Sequence, residues 1–255
     1  MKYFRNGFVC LLGILLFTGC AGKPEAPKEE TAAPSEEPQA EAEPNEEEVP
    51  ADPVLLYQGH ASLRIETAEG KTIYIDPFSG EGYEKAADLI LMTHDHYDHT
   101  ATDLIADRAE DCTVISWNEA LSNGQYGTFD LGYVKVEAVQ AGNNPNHSIN
   151  ECVGYILTFS NGVSLYVSGD TSETEQMASL KDRNIDYAFF CCDGVYNMNA
   201  DEASHCAELV GAVHSIPYHT APATDGYNFD STNAERFSAE GRIILDQGEE
   251  LVLQP

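Results

Sequence analysis

Basic side chains are scarce in this chain. Its 255 residues hold 13 Lys and Arg against 43 Asp and Glu, a formal charge of −30 at pH 7. Nucleic acids and anionic lipid surfaces are bound through Lys and Arg, so the shortage argues against both as partners. A long hydrophobic run is missing too. The apolar stretch at residues 8–17 is half the about 20 residues that cross a bilayer. Cysteine offers no framework either. Beyond the first twenty residues stand Cys112, Cys152, Cys191, Cys192 and Cys206. An odd set without disulfide spacing reads as buried small hydrophobes. No internal repeat at solenoid periods is present.

What the N-terminus does have reads as a sorting signal. Lys2 and Arg5 precede the apolar stretch, which ends in Phe17-Thr18-Gly19-Cys20. A short basic start, a short apolar core and small residues form a secretory signal. Small residues before a cysteine resemble the lipobox of bacterial lipoproteins, although Phe17 stands where leucine is usual. The resemblance implies that residues 1–20 are a lipoprotein signal peptide and that Cys20 is acylated. Residues 21–53 carry seven prolines, no aromatic residue and eleven Asp or Glu against Lys23 and Lys28. Such a segment buries too little apolar area to offset its ordering entropy, so a disordered, extended tether is expected. The chain is therefore expected on the extracytoplasmic face, touching the membrane through its lipid anchor only.

Residues 54–255 are long enough for one domain with a sizeable core. Removing −9 for residues 21–53 and +2 for residues 1–20 from −30 leaves this domain at −23. Its first part reads as short strands: 54–59, 62–67, 71–76 and the continuous apolar run 87–93. Residues 100–111 show apolar positions at helical spacing, which predicts a helix, followed by a strand at 112–116. A second β group follows at 133–141, 152–162 and 163–170, with Asn161-Gly162 as a hairpin signal. Helices and strands then alternate through ETEQMASLKD, DYAFFCC, DEASHCAELVGA, VHSIPYHT and NAERFSAEG. Strands first and βα units later predict two sheet layers with helices outside, an α/β class. Loops 77–86, 142–151 and 220–230 are expected to wall the pocket.

The chemistry concentrates at residues 92–100, MTHDHYDHT, which hold three of the eight histidines. The pattern His94-x-His96-x-Asp98-His99 follows a buried strand, where rigid scaffolds present functional groups. In an extended loop His94 and His96 point the same way and can share one metal ion. Asp98 and His99 are then offset toward a second position. Nitrogen and oxygen donors of this kind suit Zn²⁺. By chance the pattern arises roughly five times in ten thousand chains of this composition, so a coincidental polar loop is a weak alternative.

The motif resembles HxHxDH, the first metal motif of the metallo-β-lactamase-fold hydrolases. The resemblance implies a four-layer αββα sandwich and supplies the other ligands. His147 stands as the isolated histidine, Asp170 in the Gly-Asp-Thr motif, and His219 as the last ligand. By this likeness His94, His96 and His147 hold one metal, Asp98, His99 and His219 the other, and Asp170 bridges both. Gly59-His60-Ala61-Ser62, Ile75-Asp76-Pro77-Phe78, Tyr196-Asn197-Met198 and Ile216-Pro217-Tyr218-His219 resemble the branch of ascorbate-phosphate lactonase and N-acylphosphatidylethanolamine phospholipase D. Histidine at 96 and aspartate at 170 disfavour di-iron redox chemistry and antibiotic hydrolysis.

The implied activity uses two Zn²⁺, with Mn²⁺ or Fe²⁺ suited to the same donors. A metal-bridged hydroxide would attack an ester, lactone or phosphodiester of a small, even anionic, molecule. Asp98 and Asp170 are the candidate catalytic carboxylates. His60, Tyr97 and Tyr196 are candidate substrate contacts. Asp76 is expected to orient a ligating histidine, and His205 and His214 to be structural or surface residues. A non-catalytic metal-binding lipoprotein is the alternative, and the missing basic surface disfavours a nuclease. No obligate protein partner is evident.

Overall fold

The computed structural model describes residues 52–225 and 228–255. Cys20 and nearly all of the acidic segment lie outside these residues. The described chain opens with strands β1 (Val54–Gly59), β2 (Ser62–Glu66), β3 (Thr72–Ile75), β4 (Ala87–Leu91) and β5 (Arg108–Ile115). A one-turn helix α1 (Trp117–Ala120) and short strands β6 (Leu121–Ser122), β7 (Gln125–Tyr126) and β8 (Thr128–Asp130) come next. The second β group is β9 (Val134–Gln140), β10 (Val153–Phe159) and β11 (Ser164–Val167). After α2 (Met177–Leu180) come β12 (Tyr187–Cys191), α3 (Ala200–Val210), β13 (His214–Tyr218), α4 (Ser231–Arg236) and β14 (Glu250–Val252).

Two six-stranded sheets result, in the orders β14-β1-β2-β3-β4-β5 and β13-β12-β11-β10-β9-β8. Period-two alternation decides what faces what. Ile73, Ile75, Leu89 and Leu91 point into one large core shared with Val153, Tyr155, Leu165 and Phe189 of the other sheet. Each such Leu or Ile stabilises the fold by roughly 1.5–3 kcal/mol relative to exposure. Tyr155 ties the sheets further, donating its hydroxyl to the carbonyl of Met92 (3.0 Å).

The outer faces differ. Helix α3 covers the second sheet with Ala203, Cys206, Ala207 and Val210, an apolar stripe at helical spacing. Its start is capped by Asn199, whose side chain accepts from the backbone of Asp201 and Glu202. On the first sheet Tyr74, Ala87 and Ile90 cluster on the outer face and are covered by Tyr83 and Ile105. That cover is a folded segment, not the helix expected over 100–111. Only a 3₁₀ turn at Thr102–Leu104 forms there, and Ile105 packs into the outer cluster. From Arg108 the chain pairs in parallel with β4, starting the strand four residues early. Edge pairing overrides the local helical spacing, and the exposed Glu110 and Asp111 suit an edge strand. The ETEQMASLKD helix is also shorter than expected, four residues followed by a 3₁₀ turn. The architecture is the αββα sandwich, with a thin helical layer on one side.

Strands β3, β4 and β5 run parallel, as do β11, β12 and β13. Their carboxyl ends carry Asp76, His94, Asp170, Asp193 and His219. Loops at that end of parallel strands are where α/β sheets place their chemistry.

Candidate metal centre

Two glycines set the approach of these loops. Gly169 lies at φ +61°, and a Cβ there would come 2.8 Å from the Val153 carbonyl and 3.0 Å from Thr93 Cβ. Gly142, at φ +88°, would bring a Cβ 2.9 Å from the His147 carbonyl. Its own carbonyl accepts from Ser172 N (2.8 Å) and Thr171 Oγ1 (3.0 Å), which pins the His147 loop to the Asp170 loop. Glycine at both places brings three loops together.

The side chains meet around Asp170. Its Oδ2 lies 3.3 Å from His147 Nε2, 3.3 Å from His219 Nε2 and 4.0 Å from His94 Nε2. Its Oδ1 is 3.5 Å from His99 Nε2. His96 Nδ1 is 3.2 Å from His147 Nε2. The donor atoms fall into three overlapping groups, each within 4.8 Å: His94, His96, His147; His94, His99, Asp170; and His60, Asp98, His99, His219. The sequence thus named seven candidate ligands, and the structure brings all seven together.

These residues fit a metal. His94 Nε2, His99 Nε2, His219 Nε2 and Asp170 Oδ1 are buried without a hydrogen-bond partner. Orphaned buried polar atoms are costly and call for an ion or a similar occupant. Several donor separations also approach the about 3.3 Å edge of a tetrahedron around Zn²⁺, given Zn–N near 2.0–2.1 Å.

Outer contacts hold the rings. Asp76 accepts from Thr93 N (2.8 Å) and Thr93 Oγ1 (2.7 Å), and its Oδ2 lies 3.0 Å from His99 Nδ1. It orients a candidate ligand, as the sequence suggests. Thr93 Oγ1 is 3.1 Å from His94 Nδ1, and Asn144 Oδ1 is 3.2 Å from His147 Nδ1. Asp193, buried at the end of β12, puts Oδ2 3.6 Å from His219 Nδ1. It accepts from the backbone of Val195 and Tyr196 (2.7 Å each) and from Asn197 Nδ2 (2.8 Å). Asn197 Nδ2 also donates to Asp170 Oδ2 (2.8 Å). The sequence reading passed over Asp193, Asn144 and Thr93. A signal existed for Asp193, a carboxylate directly after a buried strand.

The protein's own charges divide the rings. Burial pushes His94 well below the ordinary histidine value and also lowers His147. Burial acts the same way on His99 and His219, but Asp170, joined by Asp76 at His99 and by Asp193 at His219, outweighs it and both are raised. Burial would raise Asp170, yet His219 and His99 hold it well below the carboxylate range. Asp98 is likewise held low despite burial, chiefly by its bond to His60. Burial, reinforced by His219, drops His60 to about 4.

A cavity of about 370 Å³ opens over the centre, lined by His96, Tyr97, Asp98, Asn146, His147, Asp170, Tyr196, His219, Ala223 and Thr224. Tyr97 is 65% exposed and Tyr196 41%, so both expected substrate contacts stand on its wall. His60 does not. Its ring is fully buried behind Asp98, with Nε2 3.1 Å from Asp98 Oδ2. Loops 142–151 and 220–230 contribute wall residues, but 77–86 does not. Its Tyr83 packs on Tyr74 at the outer face of the first sheet, while Phe78 packs edge-on against Tyr97 and His60 behind the wall. His205 is exposed near Glu173 (3.5 Å), and His214 stacks on Tyr187; neither reaches the centre.

Comparison with known proteins agrees with this arrangement. Residues 54–219 match the beta-lactamase superfamily domain family. A UPF0173 metal-dependent hydrolase of Shouchella clausii is 32% identical over 232 residues, covering 78% of this chain and 99% of the relative. Another, from Rubrobacter xylanophilus, is 29% identical over 230 residues, covering 77% and 95%. Among solved structures, a metal-dependent hydrolase of Parabacteroides distasonis superposes with a TM-score of 0.58 at 28% identity, over 74% of this chain and 91% of that one. Igni18, a metallo hydrolase of Ignicoccus hospitalis, reaches the same TM-score at 18% identity over 79% and 98%, a likeness of fold alone. A histidine and aspartate centre at the strand ends of an αββα sandwich, with such relatives, places the chain in the metallo-β-lactamase superfamily as a metal-dependent hydrolase.

Proposed function

We propose that the chain is a dinuclear zinc hydrolase that cleaves an ester, lactone or phosphodiester bond of a small molecule. The observation that carries this reading is the position of Asp170. It stands between two donor groups, within 4.0 Å of His94, His99, His147 and His219, and lies at a cavity wall. Mn²⁺ or Fe²⁺ would suit the same donors. The chemistry that a bound metal pair supplies is acidification of a water and polarisation of the electrophile's oxygen. Asp170 holds the two groups in register. Asp98, kept ionised by His60 and facing the cavity, is placed to accept a proton. Tyr97 and Tyr196 flank the space beside them and offer aromatic faces to the substrate body.

No Lys or Arg lines the cavity among the described residues. An anionic group such as a phosphodiester would therefore find its positive partner in the bound metals alone, whereas a neutral ester or lactone needs none. Acylated Cys20 would hold the enzyme on the extracytoplasmic face, with residues 21–53 as its tether. The test is a panel of neutral esters, lactones and phosphodiesters offered to the purified chain as isolated, after chelation and after zinc reloading. Hydrolysis that disappears with chelation and returns with zinc supports the reading. A chain that takes up zinc and hydrolyses nothing on the panel counts against it.

A further inference from the structure

His60 is a polar side chain in an expensive place. It is fully buried, and as the first residue of the tight turn between β1 and β2 it adopts φ 52°, a region costly for any residue with a side chain. Three backbone contacts hold it there. His60 N donates to the Asn228 carbonyl (2.7 Å), while its own carbonyl accepts from Tyr57 Oη (3.1 Å) and His219 N (2.8 Å). The ring bonds Asp98 Oδ2 through Nε2 at 3.1 Å and lies against His219, with centroids 3.7 Å apart. Nδ1 is buried with no partner. An apolar residue would fill the space without leaving that atom unsatisfied. An ionised carboxylate only accepts, so the proton between the two side chains belongs to His60 Nε2.

Resting on the dinuclear reading, we propose that His60 is a positioning residue for the second metal position. It fixes Asp98 by hydrogen bond and His219 by ring contact and backbone. Both of those residues belong to one donor group with His99, whereas no contact links His60 to His94, His96 or His147. Its loss therefore loosens one metal position and spares the other. Removing an outer support of this kind weakens metal binding by about 10–100-fold.

The experiment titrates the metal-free protein with Co²⁺ and Zn²⁺, following cobalt absorption and competition with a chelator. His60→Asn tolerates positive φ but is too short to reach Asp98, while His60→Gln can return a donor to the Nε2 place. The expected result is an unchanged first equivalent in His60→Asn and a second weakened about 10–100-fold, with recovery to within a few-fold in His60→Gln. A second equivalent that binds His60→Asn as it binds the wild type overturns the proposal, as does equal weakening of both. A wild-type chain that binds a single equivalent overturns the dinuclear reading, and the proposal with it. The wild type also provides a measurement free of folding effects. Proton–nitrogen NMR of zinc-loaded protein should show His60 Nε2 still carrying its proton, and a metal-shifted, proton-free Nε2 would make His60 a ligand instead.

Discussion

The two halves of the centre are supported differently. On the His94 side the outer contacts of the rings are neutral, Thr93 Oγ1 beside His94 and Asn144 Oδ1 beside His147. On the Asp98 side they are carboxylates, Asp76 beside His99 and Asp193 beside His219. The charges follow. His94 and His147 are lowered by burial, whereas His99 and His219 are raised because Asp170, helped by Asp76 or Asp193, outweighs it. The first half offers free lone pairs. The second holds protons that a cation must displace, and in return gives more basic ligands. On the dinuclear reading proposed above, the two donor groups would thus differ in proton demand.

The largest way to break this comparison is to remove what the halves share. Asp170→Ala should lower kcat/KM by at least the about 10⁴-fold that bounds the loss of a positioned acid–base group. It should also reduce metal content while circular dichroism stays native. Retained activity with full metal would end the shared-carboxylate reading. Next come variants that address one half each. Asp193→Ala should weaken the Asp98-side equivalent by about 10–100-fold and Asn144→Ala the His94-side equivalent by the lower end of that range. Equal effects on both equivalents in calorimetric zinc titrations would erase the distinction.

Acidity sharpens the contrast further. His99 and His219 have raised values, so they hold their protons to higher pH than an ordinary histidine and must release them when a cation arrives. The affinity of the Asp98 side should therefore climb with pH, by up to about tenfold per unit for each proton released. The His94 side, where His94 and His147 are lowered, should stay flatter across neutral pH. Titrations in buffers of different ionisation enthalpy count the protons, and identical counts for the two equivalents would refute the assignment. The smallest effect is expected outside both halves. Tyr97→Ala should raise KM by roughly a few-fold with kcat nearly unchanged, because an exposed wall residue contributes uniform binding. A large fall in kcat would move Tyr97 into the chemistry.

Much of the centre was legible in the residues. His94, His96, Asp98 and His99 announce themselves by spacing in one loop, and His147, Asp170 and His219 by resemblance and by their place after strands. Most strand positions were legible too, because alternation in stretches such as 71–76 and the Asn161-Gly162 turn are local signals. The 100–111 stretch misled because its apolar spacing suits a helix, while pairing to β4, a contact distant in sequence, decided the outcome. His60 misled in another way. Its motif suggested the pocket wall, yet a tight turn buries it behind Asp98.

Sequence alone determined the character of the ligands, the strand alternation and the acidic composition, since each depends on residue identity and near neighbours. Tertiary structure decided which imidazoles rest on carboxylates, whereas the neutral partners Thr93 and Asn144 are near neighbours of His94 and His147 in the chain. It also decided that no Lys or Arg lines the cavity among the described residues and that His60 lies beneath the centre. Asp193 and His219, or Asp76 and His99, meet only when separate strand ends converge. The energies involved fall off over a few ångströms of space, a distance that sequence separation does not encode.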